Sequence, residues 1–159
     1  IGRNNMDISK MLDAETINLH SDSINKYDAI KEMANMLYKS KRINDLTKFI
    51  EDVFKREKLE STNMDMGVAV PHSNSIFVDK TSIAIVRFKK EIDWEDGGEP
   101  VRCIFLFAVS KNEKGITHLD IIAKIAEILI DDDFIDFLNK TDNSKELINK
   151  INDLIGGLK

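Results

Sequence analysis

Several things are scarce in this chain. A single cysteine, Cys103, excludes an internal disulfide framework and fits a reducing compartment. Pro71 and Pro100 are the only two prolines, and neither low-complexity tracts nor internal repeats occur. No apolar run approaches the roughly 18 residues that would suggest a membrane span. The N-terminus lacks the apolar segment of a signal peptide, so a cytoplasmic location is expected. Basic charge of the kind that binds nucleic acid is missing too: 23 Lys and Arg stand against 28 Asp and Glu, a formal charge of −5 with no basic stripe. What remains is a soluble globular composition, 42% hydrophobic and 32% charged, in 159 residues, the size of one ordinary domain. Ile1 to Asn5, ahead of Met6, read as a linker remnant, leaving 6–159 as the expected domain.

Hydrophobic periodicity orders the rest. Ile17–Leu19 reads as a short strand. Ile30, Met33, Ala34 and Leu37 then recur at helical spacing, predicting a helix from Asn25 to about Lys39. Asp45 can cap a second helix with the face Leu46, Phe49, Ile50, Val53 and Phe54, expected to run out near Arg56 and Glu57. Gly67–Val70, Thr81–Phe88 and Val101–Val109 read as strands. The last, containing CIFLFAV, looks like a central strand covered on both faces, and DWEDGGEP between the last two marks a hairpin or loop. From His118 onward the stripe Leu119, Ile122, Ala123, Ala126, Leu129 and Ile130 predicts a helix. A short helix at Phe134–Leu138 follows, then a last one with Leu147, Ile148, Ile151, Leu154 and Ile155, closed by Gly156-Gly157. Helices before, between and after the strands imply one layered α/β domain: a mixed parallel/antiparallel sheet of about five strands, flanked by helices on both faces.

Three histidines carry most of the chemical interest: His20, His72 and His118. In GVAVPHSN, Pro71 has a fixed φ and no N–H and pushes Val70 towards an extended conformation, so His72 is expected at or just past a strand end. Ligand sites gather at such ends, although a lone histidine there is more often a satisfied surface or core residue. Thr117 and Asp120 have capping-box spacing, which puts His118 in the first turn of a helix, where free N–H groups and the dipole attract phosphate. Two imidazoles beside a helix N-terminus would suit a phosphohistidine, one carrying the group and the other donating to its oxygens. His20 reads as a solvated turn residue after its strand.

MGVAVPHSN, followed later by HLDIIAKIAEIL, resembles the enzyme IIA domain of the phosphoenolpyruvate-dependent sugar phosphotransferase system, fructose/mannitol class (EIIA type 2). The likeness extends to DAIKEMANML, REKLEST and DGGEPVRCIFLFAV, and so to nearly the whole chain from Met6. It implies a mixed sheet with helices on both faces, His72 as the phosphorylated histidine, His118 as the second active-site histidine stabilising the phosphoryl group, and Arg56 as a phosphate contact. It implies HPr as phosphoryl donor, a IIB domain of a sugar permease (fructose-type) as acceptor, and no cofactor. Ser73 departs from the Gly or Ala common after the histidine, but it is small enough to keep His72 accessible. A phosphorylation-controlled regulatory module, of nitrogen type or within a transcriptional regulator, would carry the same site.

Other signals are weaker. A metal hydrolase would need ligands beyond His72 and His118, and no H-x-H, H-E-x-x-H or cysteine cluster supplies them, so no metal is expected. Cys103 lies in an apolar strand and reads as a core thiol. Asp131-Asp132-Asp133 lacks the spacing of a calcium loop and reads as a helix junction. Met64 and Met66 are expected to flank the site as an adaptable docking surface.

Overall fold

The computed structural model describes residues 8–113 and 116–158, without the side chains of Ser9 and of residues 116–119. Ile1–Asn5, read above as a linker remnant, therefore lie outside the described residues. Five strands form one mixed sheet: β1 (Ile17–Ser21), β2 (Val68–Ala69), β3 (His72–Ser75), β4 (Ser82–Ile92) and β5 (Val101–Ser110). The sheet order is β1-β4-β5-β2, with β3 also on β5; β4 and β5 are antiparallel and every other pair is parallel. The helices are α1 (Lys26–Lys39), α2 (Leu46–Leu59), α3 (Ile116–Ile128), α4 (Asp132–Lys140) and α5 (Ser144–Gly156). Among the described residues no helix is long and apolar enough to cross a membrane.

β4 and β5 are inner strands with helices over both faces, which is why their sequences are apolar almost without alternation. Their odd and even residues still divide the core. Ile83, Ile85, Cys103, Phe105 and Phe107 pack under α3, α4 and α5, while Ala84, Val86, Phe88, Ile104, Leu106 and Ala108 pack under α1 and α2. Arg87 interrupts β4 but is buried with its charge satisfied. Its guanidinium donates to the carbonyls of Leu138 (2.9 Å) and Thr141 (2.6 Å) and to Asp142 (3.0 Å), closing the C-terminus of α4.

The cap expected at Asp45 is formed, and two more are found. Asn25, Asp45 and Asp131 each accept a backbone N–H at the start of α1, α2 and α4. Elsewhere the structure corrects the reading. α2 runs on past Glu57 to Leu59, because Leu59 and its neighbours are good helix formers and nothing stops the helix earlier. His20 belongs to the exposed side of β1 rather than to a turn. The buried face of α3 is Ile121, Ile125, Ile128 and Leu129, with Ala123 and Ile130 turned to solvent; Leu119 lies outside the described side chains. Apolar residues surround most of this helix, so two adjacent stripes look equally plausible, and only packing against the sheet selects one. Thr117 sits inside α3, which begins at Ile116, rather than capping it; His118 is nevertheless in the first turn.

Cys103 is fully buried. Burial pushes its thiol up to about 12, with Arg87 and Arg102 pulling weakly the other way. The folded thiol thus keeps a proton that the unfolded one sheds near 9.0, so its contribution to stability is lost as pH rises from there towards 12. Iodoacetamide at mildly alkaline pH should leave Cys103 unmodified until denaturant is added. Labelling of the native protein as fast as the unfolded chain would show that the strand opens readily.

Candidate functional site

Pro71 interrupts the edge strand without shifting it. Ala69 pairs with Ile104 and His72 with Phe107, so both chains advance equally across the gap. The missing N–H removes one rung, but the Pro71 carbonyl still accepts from Phe107 N at 3.0 Å and β3 resumes. His72 thus opens a second strand segment instead of ending the first, because β5 continues as a template beyond the proline. On the other side, residues 62–64 lie antiparallel to 68–70 through Met64 N to Val68 O (2.9 Å) and Val70 N to Thr62 O (3.0 Å). The turn between them needs left-handed backbone at Asp65 (φ 56) and Gly67 (φ 89), a conformation glycine adopts without a Cβ penalty.

Thr62, opposite Val70 at the end of this short arm, gives its own N–H to Glu57 Oε2 at 3.0 Å rather than to the Val70 carbonyl. The half-buried His72 ring takes its place, with Nδ1 3.1 Å from Val70 O. The other ring nitrogen, Nε2, accepts from Arg56 Nε at 3.1 Å. An arginine cannot accept a hydrogen bond, so Nε2 must present a lone pair and the ring proton must lie on Nδ1. Arg56 is held in turn by its Nη1, which donates to Glu60 O at 2.8 Å beyond the last turn of α2. The structure therefore brings Arg56 and His72 into direct contact across 16 residues of sequence.

The ring stands in an open depression of about 530 Å³ lined by Asp52, Lys55, Arg56, Leu59, His72, Ser73, Asn74 and Lys111. Three of these are cations and one is a carboxylate, and that carboxylate is engaged, Asp52 accepting from Ser75 Oγ at 2.7 Å. A protein of net charge −5 thus presents a basic site, suited to a dianionic group. Lys55, Asp52 and Lys111 escaped the sequence reading. Lys55 carried a faint signal as the neighbour of Arg56 near the end of α2; Lys111, just past β5, carried none. Met64 and Met66 do not line the depression; Met64 packs against the core instead.

His118 occupies the first turn of α3, and its side chain lies outside the described residues. His20 is remote from this site, exposed and 3.8 Å from Asp142. Among the described residues no group of three or more His, Cys, Asp or Glu is placed to hold a metal ion.

Residues 10–154 match the family profile described as phosphoenolpyruvate-dependent sugar phosphotransferase system, EIIA 2. The chain belongs to this EIIA family. Its relatives include the fructose-specific EIIABC component of Bacillus subtilis, 29% identical over 92% of this chain but only 23% of that protein. The fructose-like EIIA component of Escherichia coli is 29% identical over 86% of this chain and 92% of its own length. Among solved structures, the nitrogen regulatory protein IIA-Ntr from Neisseria meningitidis superposes with a TM-score of 0.77 at 25% identity, covering 86% of this chain and 93% of that one. The chain thus spans about a quarter or less of the length of the curated relatives it matches first. The open mixed sheet and the flanking helices are those expected of an EIIA fold.

At a pH where His72 is neutral, ¹⁵N spectra of its ring should show Nδ1 protonated and Nε2 bare. A dominant Nε2–H signal would contradict the pairing with Arg56.

Proposed function

We propose that the chain is a phosphocarrier: His72 accepts a phosphoryl group from phospho-HPr and passes it to a IIB domain of a sugar permease, fructose-type. The observation that carries this reading is the pair of contacts on the His72 ring, which leaves Nε2 as the nucleophile facing an open, basic depression. In the transfer the Nε2 lone pair forms the new N–P bond while the donor's P–N bond breaks, its electron pair returning to the donor ring. The phosphorylated His72 ring keeps its proton on Nδ1 and gains positive charge, which the Val70 carbonyl is aligned to stabilise.

Arg56 has to leave Nε2 for the lone pair to react. A short swing takes its guanidinium from the bare nitrogen to the oxygens of the incoming group, which its planar fork can pair two at a time. Lys55 and Lys111 add charge at the rim, and His118, with the free N–H groups of the α3 terminus, would hold the remaining oxygens. Phosphoryl transfer of this kind needs in-line geometry and charge stabilisation rather than a cofactor. A shallow site suits the task, since two macromolecules must reach the same nitrogen in turn. The IIB assignment is supported by the EIIABC architecture named for the Bacillus subtilis relative. Likeness to the Neisseria regulatory protein favours a second reading, in which the same phosphohistidine is a signal; that version would label from HPr but donate to no IIB domain.

Incubation with phosphoenolpyruvate, enzyme I and HPr should yield an acid-labile adduct of one phosphoryl group. His72→Ala should abolish it, whereas His118→Ala should still label but transfer onward slowly. Full labelling of His72→Ala would sink the acceptor assignment, and unchanged onward transfer in His118→Ala would remove that residue from the site. Arg56→Lys should slow transfer by about tenfold to a hundredfold, from the 1.5–3 kcal/mol of one charge-assisted contact, with the fold intact. Wild-type rates in this variant would reduce Arg56 to a helix-end residue.

A further inference from the structure

Next to Arg56 on α2 is a charged residue that is almost withdrawn from solvent. Glu57 is buried, and both carboxylate oxygens are occupied. Oε1 accepts from Thr62 Oγ1 at 2.6 Å; Oε2 accepts from Thr62 N at 3.0 Å and from Trp94 Nε1 at 2.9 Å, with Lys26 Nζ 3.8 Å away. Burying a carboxylate is costly unless it is paired and hydrogen-bonded, and this one spends two of its bonds on a single loop residue. Thr62 is also the residue whose carbonyl accepts from Val70 N at 3.0 Å. Val70 in turn gives its own carbonyl to His72 Nδ1, and Pro71 restricts the rotation between those two Val70 groups. A continuous path of hydrogen bonds thus runs from Glu57 through Thr62 and Val70 to the ring nitrogen opposite the nucleophile.

We propose that Glu57 is a positioning residue for phosphoryl transfer: by clamping Thr62 it fixes the Val70 carbonyl and hence the Nδ1–H form of His72. The dipeptide Arg56-Glu57 then governs both ring nitrogens, Arg56 directly at Nε2 and Glu57 by way of Thr62 and Val70 at Nδ1. The two side chains leave α2 in different directions, Arg56 towards the depression and Glu57 into the protein beneath Trp94. When Glu57 is neutral or absent, Thr62 loses its anchor, the Val70 peptide gains freedom, and the ring is released to carry its proton on Nε2, where it blocks attack. The effect on rate comes through the share of reactive ring, with no contact between Glu57 and the phosphoryl group. This rests on the reading of His72 as acceptor.

The test uses the full chain and the ¹⁵N ring signals, with the His72 pair assigned by its loss in His72→Ala. Glu57→Gln places an amide donor against donors. It should raise the Nε2–H share of His72 several-fold and slow phosphorylation by phospho-HPr by about tenfold, which is about 1.4 kcal/mol. Thr62→Val, which removes one hydroxyl and keeps the backbone, should move both readouts the same way to a smaller extent, and it serves alone if Glu57→Gln does not fold. Ile151→Val, a core truncation on the far face of the sheet, should lower Tm while leaving ring spectrum and rate unchanged. Folded Glu57→Gln and Thr62→Val with wild-type ring signals and rates would overturn the proposal. So would Ile151→Val shifting the ring as they do, since any loss of stability would then suffice. Neither result touches the acceptor assignment, which the labelling of His72→Ala decides separately.

Discussion

The carbonyl of Val70 is the constraint on which the site depends. A backbone acceptor at a covered sheet edge requires a donor, and Thr62, opposite Val70 in the neighbouring arm, gives its N–H to Glu57 instead. The His72 ring answers, with Nδ1 3.1 Å from that oxygen. Together with the Arg56 donor at Nε2, that bond decides which nitrogen carries the proton and which one is left bare towards the open depression. Pro71 makes the arrangement durable: it restricts Val70 on one side and removes a rung on the other without altering the register along β5.

Electrostatics divide along the same line. The chain is acidic as a whole, yet Lys55, Arg56 and Lys111 gather around the half-buried His72 ring. Buried charge is treated differently. Arg87 and Glu57 are each spent on structure, the first on the end of α4 and the second on the loop that leads to the site. Lys55 and Lys111 line the depression at its surface, whereas Arg87 and Glu57 are held inside by hydrogen bonds.

The two inner strands were legible because residues buried on both faces leave an unbroken apolar run, as in CIFLFAV. The cap of α2 was legible because Asp45 acts on an N–H group three residues away. His72 stood out beside Pro71, since both residues act through the same short piece of backbone. The sheathed face of α3 was not legible. Its apolar residues nearly encircle the helix, and the sheet alone selects Ile121, Ile125 and Ile128. Nor was the resumption of pairing after Pro71, which depends on β5 being long enough to serve as template on both sides of the break.

By itself, then, the sequence determined most of the elements, the cap of α2 and the proline-histidine pair, all of which arise from interactions among near neighbours in the chain. The tertiary structure decided the partners: Arg56 on Nε2, Val70 and through it Thr62 and Glu57 on Nδ1, and Lys111 at the rim. These meetings join α2, the hairpin arm, β3 and the end of β5, and no local periodicity encodes where separate segments come to rest against one another. Their distances follow from how two helices and an edge strand pack on the same sheet.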